Sequence, residues 1–205
     1  MPNATWIRIT LATAAIAVLV STWWKTGETD IDAARQVLSV SGVVILLILA
    51  FDSFAWRWPL IRLLSRVPVL HGTWKAALRT SYPGRADELI ECYLVVRQTY
   101  STIRVDLLTD RARSRFVSGA LVREPGAIVL NYIFRYEADA LNTEGNPPSK
   151  GAADLTVGQR PALHMSGDYW MERGTKGTIQ TVGHAHALYD TYDSAQTGEY
   201  EDPSA

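Results

Sequence analysis

The sequence predicts a mainly β fold that follows an N-terminal transmembrane α-hairpin, with the β part forming an eight-stranded antiparallel barrel. Three observations lead to this fold class. Two long apolar runs lie within residues 1–58. Near residue 71 the hydrophobic period changes from that of a helix to that of a strand. Turn sequences, such as those at 82–84 and 124–126, then divide the chain into strand-length pieces.

The first apolar run, Trp6–Trp24, is predicted to be a membrane span. Nineteen helical residues extend about 28 Å, close to the thickness of a bilayer core. Arg8 is its one charge and lies near an end, and tryptophans mark both ends as at a membrane interface. A secretory signal is the alternative. It is disfavoured because no Lys or Arg precedes Arg8 and a tryptophan pair, not a small-residue cleavage site, follows the apolar core.

The second apolar run, Val37–Trp58, is predicted to return through the membrane. It carries no charge before Asp52, which lies in its last turns among aromatic residues. A carboxylate there is either solvated at the interface or a polar element for helix association or a pore. A buried core helix is the alternative for the run, disfavoured because two such runs occur in tandem.

Charge asymmetry predicts the topology. The connecting loop Lys25–Gln36 holds two basic and three acidic residues. The chain beyond the second run is basic, with Arg57, Arg62, Arg66 and Lys75. The positive-inside rule therefore predicts a multi-pass membrane protein with both termini and the C-terminal domain in the cytoplasm and the short loop outside. Cys92 is the single cysteine, which agrees with a reducing compartment.

Residues 59–70 are predicted to form an interfacial linker. Leucines and a valine share one helical face and Arg62 and Arg66 share the other, as in a helix lying on anionic headgroups; a solvated linker is the alternative. Residues 71–183 are predicted to form a cytoplasmic ligand-binding β-barrel. Residues 184–205 carry no Lys or Arg and five acidic residues, and we expect a disordered acidic tail.

Strand alternation predicts which side chains point into a lipocalin-like barrel. The candidate ligand-binding residues on this inner face are Trp74, Ser118, Tyr132, Tyr169 and Arg173. A buried Arg173 needs a partner. That partner is either the Trp74 indole, as a plug at the closed end, or an anionic ligand that uses the planar guanidinium. The tyrosines either stack on a nucleobase or simply fill the barrel.

Catalytic and metal-site motifs are missing from the sequence. It has no P-loop, no His/Cys cluster with zinc spacing and no Gly-x-Ser-x-Gly element. We therefore expect no enzyme activity, no catalytic residue, no metal and no cofactor. A net charge of −1 disfavours a nucleic-acid polymer as partner.

Two stretches carry a family resemblance: Gly72-Thr73-Trp74 and "LHMSGDYWMERGTKGTIQ", Leu163–Gln180. With the order of parts around them, they resemble the two-transmembrane, β-strand-rich effectors of bacterial cyclic-oligonucleotide (CBASS) anti-phage defence. The resemblance implies a minimal β-barrel that binds a cyclic dinucleotide made by a partner cyclic nucleotidyltransferase. It also implies a ligand-induced homo-oligomer that disrupts the inner membrane and causes cell death or growth arrest. It assigns no ligand residues.

Two other functions fit the same predicted architecture. A membrane-tethered lipocalin-like binding protein for an apolar small ligand predicts a hydrocarbon-lined cavity. A structural membrane protein whose barrel is only an interaction module predicts a filled interior. The polar residues placed inside the barrel argue against the first of these alternatives.

Overall fold

The computed structural model describes residues 42–43, 46–58, 61, 67–86, 88–139, 147–159 and 162–201. The chain divides into two compact units. One comprises Met1–Val69 with Thr99–Thr102, and the other comprises Leu70–Gln98 with Ile103–Ala205.

The second unit is a closed barrel of eight antiparallel strands in sequence order, in which β8 pairs back onto β1. The strands are β1 (Gly72–Thr80), β2 (Ile90–Gln98), β3 (Ile103–Leu108), β4 (Ala112–Glu124), β5 (Ala127–Ala138), β6 (Ser149–Gly158), β7 (His164–Met171) and β8 (Lys176–Ala185). The predicted mainly β class, strand number and closed antiparallel order are confirmed.

Alternation along the strands builds the barrel core, as β3 shows. Ile103, Val105 and Leu107 are buried, whereas Arg104 between them is exposed. Strand β2 departs from this rule because it is buried on both faces, with Tyr93 and Val95 covered as completely as their inward neighbours. Another part of the chain must therefore cover the outer face of β2.

The C-terminal segment provides that cover. Tyr93 stacks on Tyr200 with ring centroids 5.6 Å apart and meets the edge of Tyr192 at 5.5 Å. Ala195 completes the apolar contact. Gly183 gives the segment room, since a Cβ placed there would lie 3.0 Å from the Tyr200 Cβ.

The segment is also tied by hydrogen bonds. Its short helix Tyr192–Gln196 begins with a capping box at Thr191. Glu201 then exchanges two backbone hydrogen bonds with His184, of 3.0 and 2.9 Å. The predicted disordered tail is therefore wrong for residues 184–201: apolar tyrosine contacts outweigh the acidic composition from which disorder was expected.

A β-bulge changes the phase of strand β4. Up to Phe116, which lies opposite Phe134, the even-numbered residues face inward. The register shifts between Phe116 and Ser118, after which Gly119 lies opposite Tyr132. Ser118 is consequently exposed, and its predicted place inside the barrel is wrong.

In the first unit, residues 46–53 are helical and a 3-10 turn, Ala55–Arg57, follows. The Asp52 carboxylate accepts a hydrogen bond of 2.9 Å from the Ser101 backbone N–H. Its backbone oxygen accepts one of 3.0 Å from Tyr100. Asp52 is thus a local hydrogen-bonding centre of this unit.

Within the described part of the chain, no helix combines the length and apolar character needed to span a membrane. The predicted first span and periplasmic loop lie outside the described residues, as do parts of the second span and of the linker 59–70.

Candidate ligand site at the open end of the barrel

A cavity of about 560 Å³ occupies one end of the barrel. This volume lies within the usual range of small-molecule sites, about 300–1,000 Å³. Loop residues from the β1–β2 and β3–β4 connections line it together with strand residues, so the cavity opens where these connections meet. The filled interior required by an interaction module is therefore not observed.

The cavity walls are mainly apolar. Buried aliphatic residues come from four different strands: Leu78, Ile90, Leu107 and Ile179. These apolar walls lower the local dielectric, which strengthens polar interactions made in the cavity.

Aromatic rings of the cavity face glycines on neighbouring strands. Tyr132 lies opposite Gly119, and Tyr169 lies opposite Gly177. A Cβ at Gly119 would lie 2.5 Å from the Tyr132 Cβ, and one at Gly177 would lie 2.7 Å from the Tyr169 ring. The glycines thus leave the space that these rings occupy.

The two tyrosine hydroxyls remain protonated at neutral pH. Burial raises the pKa of Tyr132 well above its ordinary value. Burial also raises the pKa of Tyr169, an effect that a hydrogen bond with Thr80 partly offsets. Both hydroxyls can therefore donate to an acceptor on a ligand as well as accept.

Two arginines line the cavity at its mouth, Arg85 in the β1–β2 loop and Arg111 in the β3–β4 turn. Arg85 Nε lies 2.6 Å from Glu88 Oε2, and its Nη1 lies 3.3 Å from Asp110 Oδ1. Partial burial acts to lower the pKa of Arg85, but the contacts with Glu88 and Asp110 outweigh it and raise that pKa. Arg111 Nε lies 3.2 Å from Asp110 Oδ2.

This combination of permanently charged guanidiniums, neutral hydroxyls and aromatic faces suits an anionic ligand with flat rings. The described residues contain no cluster of three or more His, Cys, Asp or Glu side chains that could hold a metal ion.

The comparison with protein families agrees with this geometry. Residues 65–182, more than half of the chain, match the model of the Cap15 cyclic dinucleotide receptor domain. The chain belongs to this family. The Cap15 match runs from before β1 to Val182 in β8, so it includes every residue that lines the cavity. It also supports the predicted resemblance to CBASS effectors.

A curated protein is also similar to this chain over most of its length. CD-NTase-associated protein 15 of Staphylococcus schleiferi is 24% identical over 166 residues, which cover 80% of this chain and 86% of that protein. The similarity therefore extends beyond the Cap15 domain itself.

Of the five predicted ligand-binding residues, the cavity brings together Tyr132 and Tyr169. Trp74 is buried outside the cavity lining, where its Nε1 donates a 2.8 Å hydrogen bond to the Leu70 carbonyl. Its ring lies 4.2 Å from that of His184. Trp74 therefore belongs to the packing at the start of β1.

Arg173 lies elsewhere. Strand β7 ends at Met171, and the chain turns through Gly174, which has a φ of 82°. Arg173 is therefore exposed in the β7–β8 turn, with its guanidinium 5.8 Å from the centre of the Tyr136 ring. The predicted place of Arg173 inside the barrel is wrong, and with it the alternative of a plug on Trp74, because the alternation of a strand does not continue past the end of β7. Tyr136 itself lines the cavity, so Arg173 neighbours the site.

Sequence reasoning missed Arg85 and Arg111 because both lie in connections, where alternation gives no direction. One signal was present: the first and third hairpin connections of an up-and-down barrel meet at the same end.

Proposed function

We propose that the chain is an anti-phage CBASS effector whose barrel binds a cyclic dinucleotide in this cavity. Binding drives self-association, and the associated chains disrupt the bacterial inner membrane and cause cell death or growth arrest. The observation that carries the proposal is the pair of mouth arginines above buried tyrosines, inside a Cap15 cyclic dinucleotide receptor domain.

The ligand chemistry follows from the lining. Arg85 and Arg111 present guanidinium donors to the phosphodiester groups at the mouth, and such charge-assisted hydrogen bonds are stronger than neutral ones. The rings of Tyr132 and Tyr169 offer faces and hydroxyls to the nucleobases deeper inside. The chain is a receptor, not an enzyme, and a partner cyclic nucleotidyltransferase supplies the messenger. No cofactor is needed.

The membrane role rests on the N-terminal region. Residues 46–53 form a helical stretch with highly exposed leucines, Leu46 at 66% and Leu47 at 64%. Apolar side chains exposed in this way suit a lipid environment. Two spans per chain cannot enclose a wide pore, so the disruption requires several chains in the inner membrane, with both termini in the cytoplasm.

The apolar walls favour a second candidate, a membrane-tethered lipocalin-like carrier of an apolar small ligand. Leu78, Ile90, Leu107 and Ile179 would hold its hydrocarbon part. This candidate gives no role to the arginines at the mouth beyond their ion pairs.

One binding experiment separates the two candidates. Full-length protein in detergent is titrated calorimetrically with cyclic di-AMP, cyclic di-GMP, cyclic GMP–AMP and a long-chain fatty acid. We expect one cyclic dinucleotide to bind per barrel and to increase the size of the oligomer. Binding of the fatty acid alone, or of no probe, would contradict the receptor function.

The membrane step has its own test, in cells that co-express the chain with a cyclic nucleotidyltransferase. We expect these cells to become permeable to a membrane-impermeant dye. Gly42→Leu should retain nucleotide binding but reduce the damage, because a small residue allows close helix approach. A Cβ at Gly42 meets no described atom within 4 Å. Circular dichroism of the variant checks that its fold is retained. Equal damage by both proteins would contradict this role of Gly42.

A further inference from the structure

At the cavity mouth, the carboxylate of Asp110 contacts two arginines. The two oxygens of Asp110 lie 3.3 Å from Arg85 Nη1 and 3.2 Å from Arg111 Nε. Among the described ion pairs, Glu88 has one, in which it lies 2.6 Å from Arg85 Nε. Both arginines line the cavity, whereas neither acid does. The charges of these four side chains sum to zero, and Arg173 of the β7–β8 turn adds a further cation beside the cavity, against Tyr136.

The strand order explains how this group assembles. Arg85 belongs to the connection between β1 and β2, and Asp110 and Arg111 belong to the turn between β3 and β4. These connections lie at the same end of the barrel, so Asp110 joins two segments that are distant in sequence. All the carboxylates and guanidiniums involved keep some contact with solvent, from 23% exposure for Arg85 to 59% for Arg111.

We propose that Asp110 competes with the phosphate groups of the ligand for Arg85 and Arg111, and that it thereby limits the affinity of the barrel for the ligand. This inference rests on the proposed function. In the free protein, the single negative charge of Asp110 is shared between two neighbouring guanidiniums. In the complex, the phosphodiester groups take over that role, and the Asp110 charge then only repels them. A group that stabilises the free state more than the bound state weakens binding.

The alternative role for Asp110 is to hold the two arginines in position for the ligand. Two considerations decide against it. An ion pair between partly exposed side chains, with one contact to each partner, does little to fix their geometry. A ligand charge a few ångströms from a carboxylate, at a mouth backed by apolar walls, is repelled more strongly than it would be in open solvent. Removing the Asp110 charge should therefore increase the affinity for the ligand, because the loss of repulsion outweighs the loss of the two ion pairs.

The test compares Asp110→Asn with the wild type, both as full-length protein in detergent, by calorimetric titration with cyclic di-AMP, cyclic di-GMP and cyclic GMP–AMP. We expect the variant to bind with a Kd lower by about three- to tenfold. The affinity of the variant for the nucleotide should also fall more steeply with added salt, because the arginines without Asp110 contribute more of the binding free energy through charge, which salt screens. Glu88→Gln should shift the Kd in the same direction by less, since Glu88 contacts one arginine and is 55% exposed.

Asp106→Asn is the matched control. Asp106 also contacts two arginines, Arg97 at 3.6 Å and Arg113 at 3.0 Å, but neither lines the cavity. The Asp106→Asn change removes one negative charge from the same barrel, as Asp110→Asn does, and should leave the Kd for the nucleotide unchanged. If this variant is unfolded by circular dichroism, Glu137→Gln replaces it, because its pair with Arg115 also lies away from the cavity lining.

The outcomes separate the inference from the proposed function. A Kd for Asp110→Asn equal to or above that of the wild type overturns the inference while the receptor function stands. An equal tightening in the control variant also overturns it, because net charge alone would then explain the effect. Failure of every probe to bind the wild type and Asp110→Asn overturns the proposed function, and the inference with it.

Discussion

Gly119 and Tyr132 face each other across strands β4 and β5, just beyond the β-bulge that separates Phe116 from Ser118. A Cβ at Gly119 would lie 2.5 Å from the Tyr132 Cβ and 2.6 Å from the Asn131 carbonyl oxygen. The bulge therefore places a glycine, not Ser118, where the cavity needs room for an aromatic ring. The position of Tyr132 depends on this local change of register.

Gly119→Ala should destabilise the barrel. The added methyl meets backbone atoms of β5, which cannot move without disturbing the sheet, so we expect the free energy of unfolding to fall by about 1–3 kcal/mol. Urea unfolding followed by tryptophan fluorescence measures this. The neighbouring exposed change Ser118→Ala should stay within about 0.5 kcal/mol of the wild type. A larger loss in Ser118→Ala than in Gly119→Ala would contradict the assigned register.

Tyr200→Ala tests the packing of the C-terminal segment. The change removes the stacking on Tyr93 and a 2.7 Å hydrogen bond from the Tyr200 hydroxyl to the Ala195 carbonyl. We expect the free energy of unfolding to fall by about 1–3 kcal/mol. Glu199→Ala, one residue away and exposed, should have little effect. Equal stability of the two variants would show that the segment does not pack on β2 in solution.

His184 should make stability depend on pH. Burial lowers the pKa of His184 below its ordinary value of 6.5, and this outweighs the opposing hydrogen bond to the His71 carbonyl. Between the lowered pKa and 6.5, the unfolded chain binds a proton that the folded barrel does not. The contribution of His184 is therefore complete above pH 6.5 and is lost as the pH falls below it.

Thermal unfolding between pH 7.5 and pH 5, a range of about 2.5 units around the ordinary histidine value, measures this effect. We expect His184→Gln to lose less stability than the wild type on acidification, because the titrating group is gone. His186→Gln should stay closer to the wild type, with only a small decrease of the effect, because His186 is exposed and its charge beside the His184 ring adds to the lowering of the His184 pKa by burial. An unchanged pH profile in His184→Gln would contradict the assignment.

Arg111→Ala should weaken nucleotide binding while leaving the fold intact. Arg111 is 59% exposed and contributes a guanidinium to the cavity lining. A lost hydrogen bond to a charged group corresponds to about 1.5–3 kcal/mol, or a rise in Kd of roughly ten- to a hundredfold. Arg115→Ala is the control, because Arg115 is equally exposed and lies outside the lining. Equal affinity in the two variants would remove Arg111 from the site.

Much of the barrel could be predicted from the sequence because its strands are long and alternate regularly. That alternation gave the number and order of the strands, and it placed Tyr132 and Tyr169 inside, where the cavity has them. It failed at Ser118, because the bulge after Phe116 adds a residue that strict two-residue alternation does not allow for. The isolated Gly119 is the signal in the sequence that points to such a bulge. The alternation failed again at Arg173, which follows the last residue of β7.

Two other features depend on tertiary contacts that local patterns do not show. Arg85 and Arg111 come together only because two connections meet at one end of the barrel. The C-terminal segment has the acidic composition of a disordered tail, but Tyr192 and Tyr200 find apolar partners on β2. Packing thus overrides composition at these positions.

The most direct test of the central claim is to fill the cavity. Leu107 lines the cavity and is 7% exposed, so Leu107→Trp replaces an aliphatic side chain with a larger indole ring that fills part of the cavity. Val122→Trp adds the same ring at a residue that is 40% exposed and outside the lining. Calorimetric titration of both full-length variants should show the Kd for the cyclic dinucleotide raised by about a hundredfold or more in Leu107→Trp, and unchanged in Val122→Trp. Wild-type affinity in a folded Leu107→Trp would contradict the claim that the ligand binds inside the barrel.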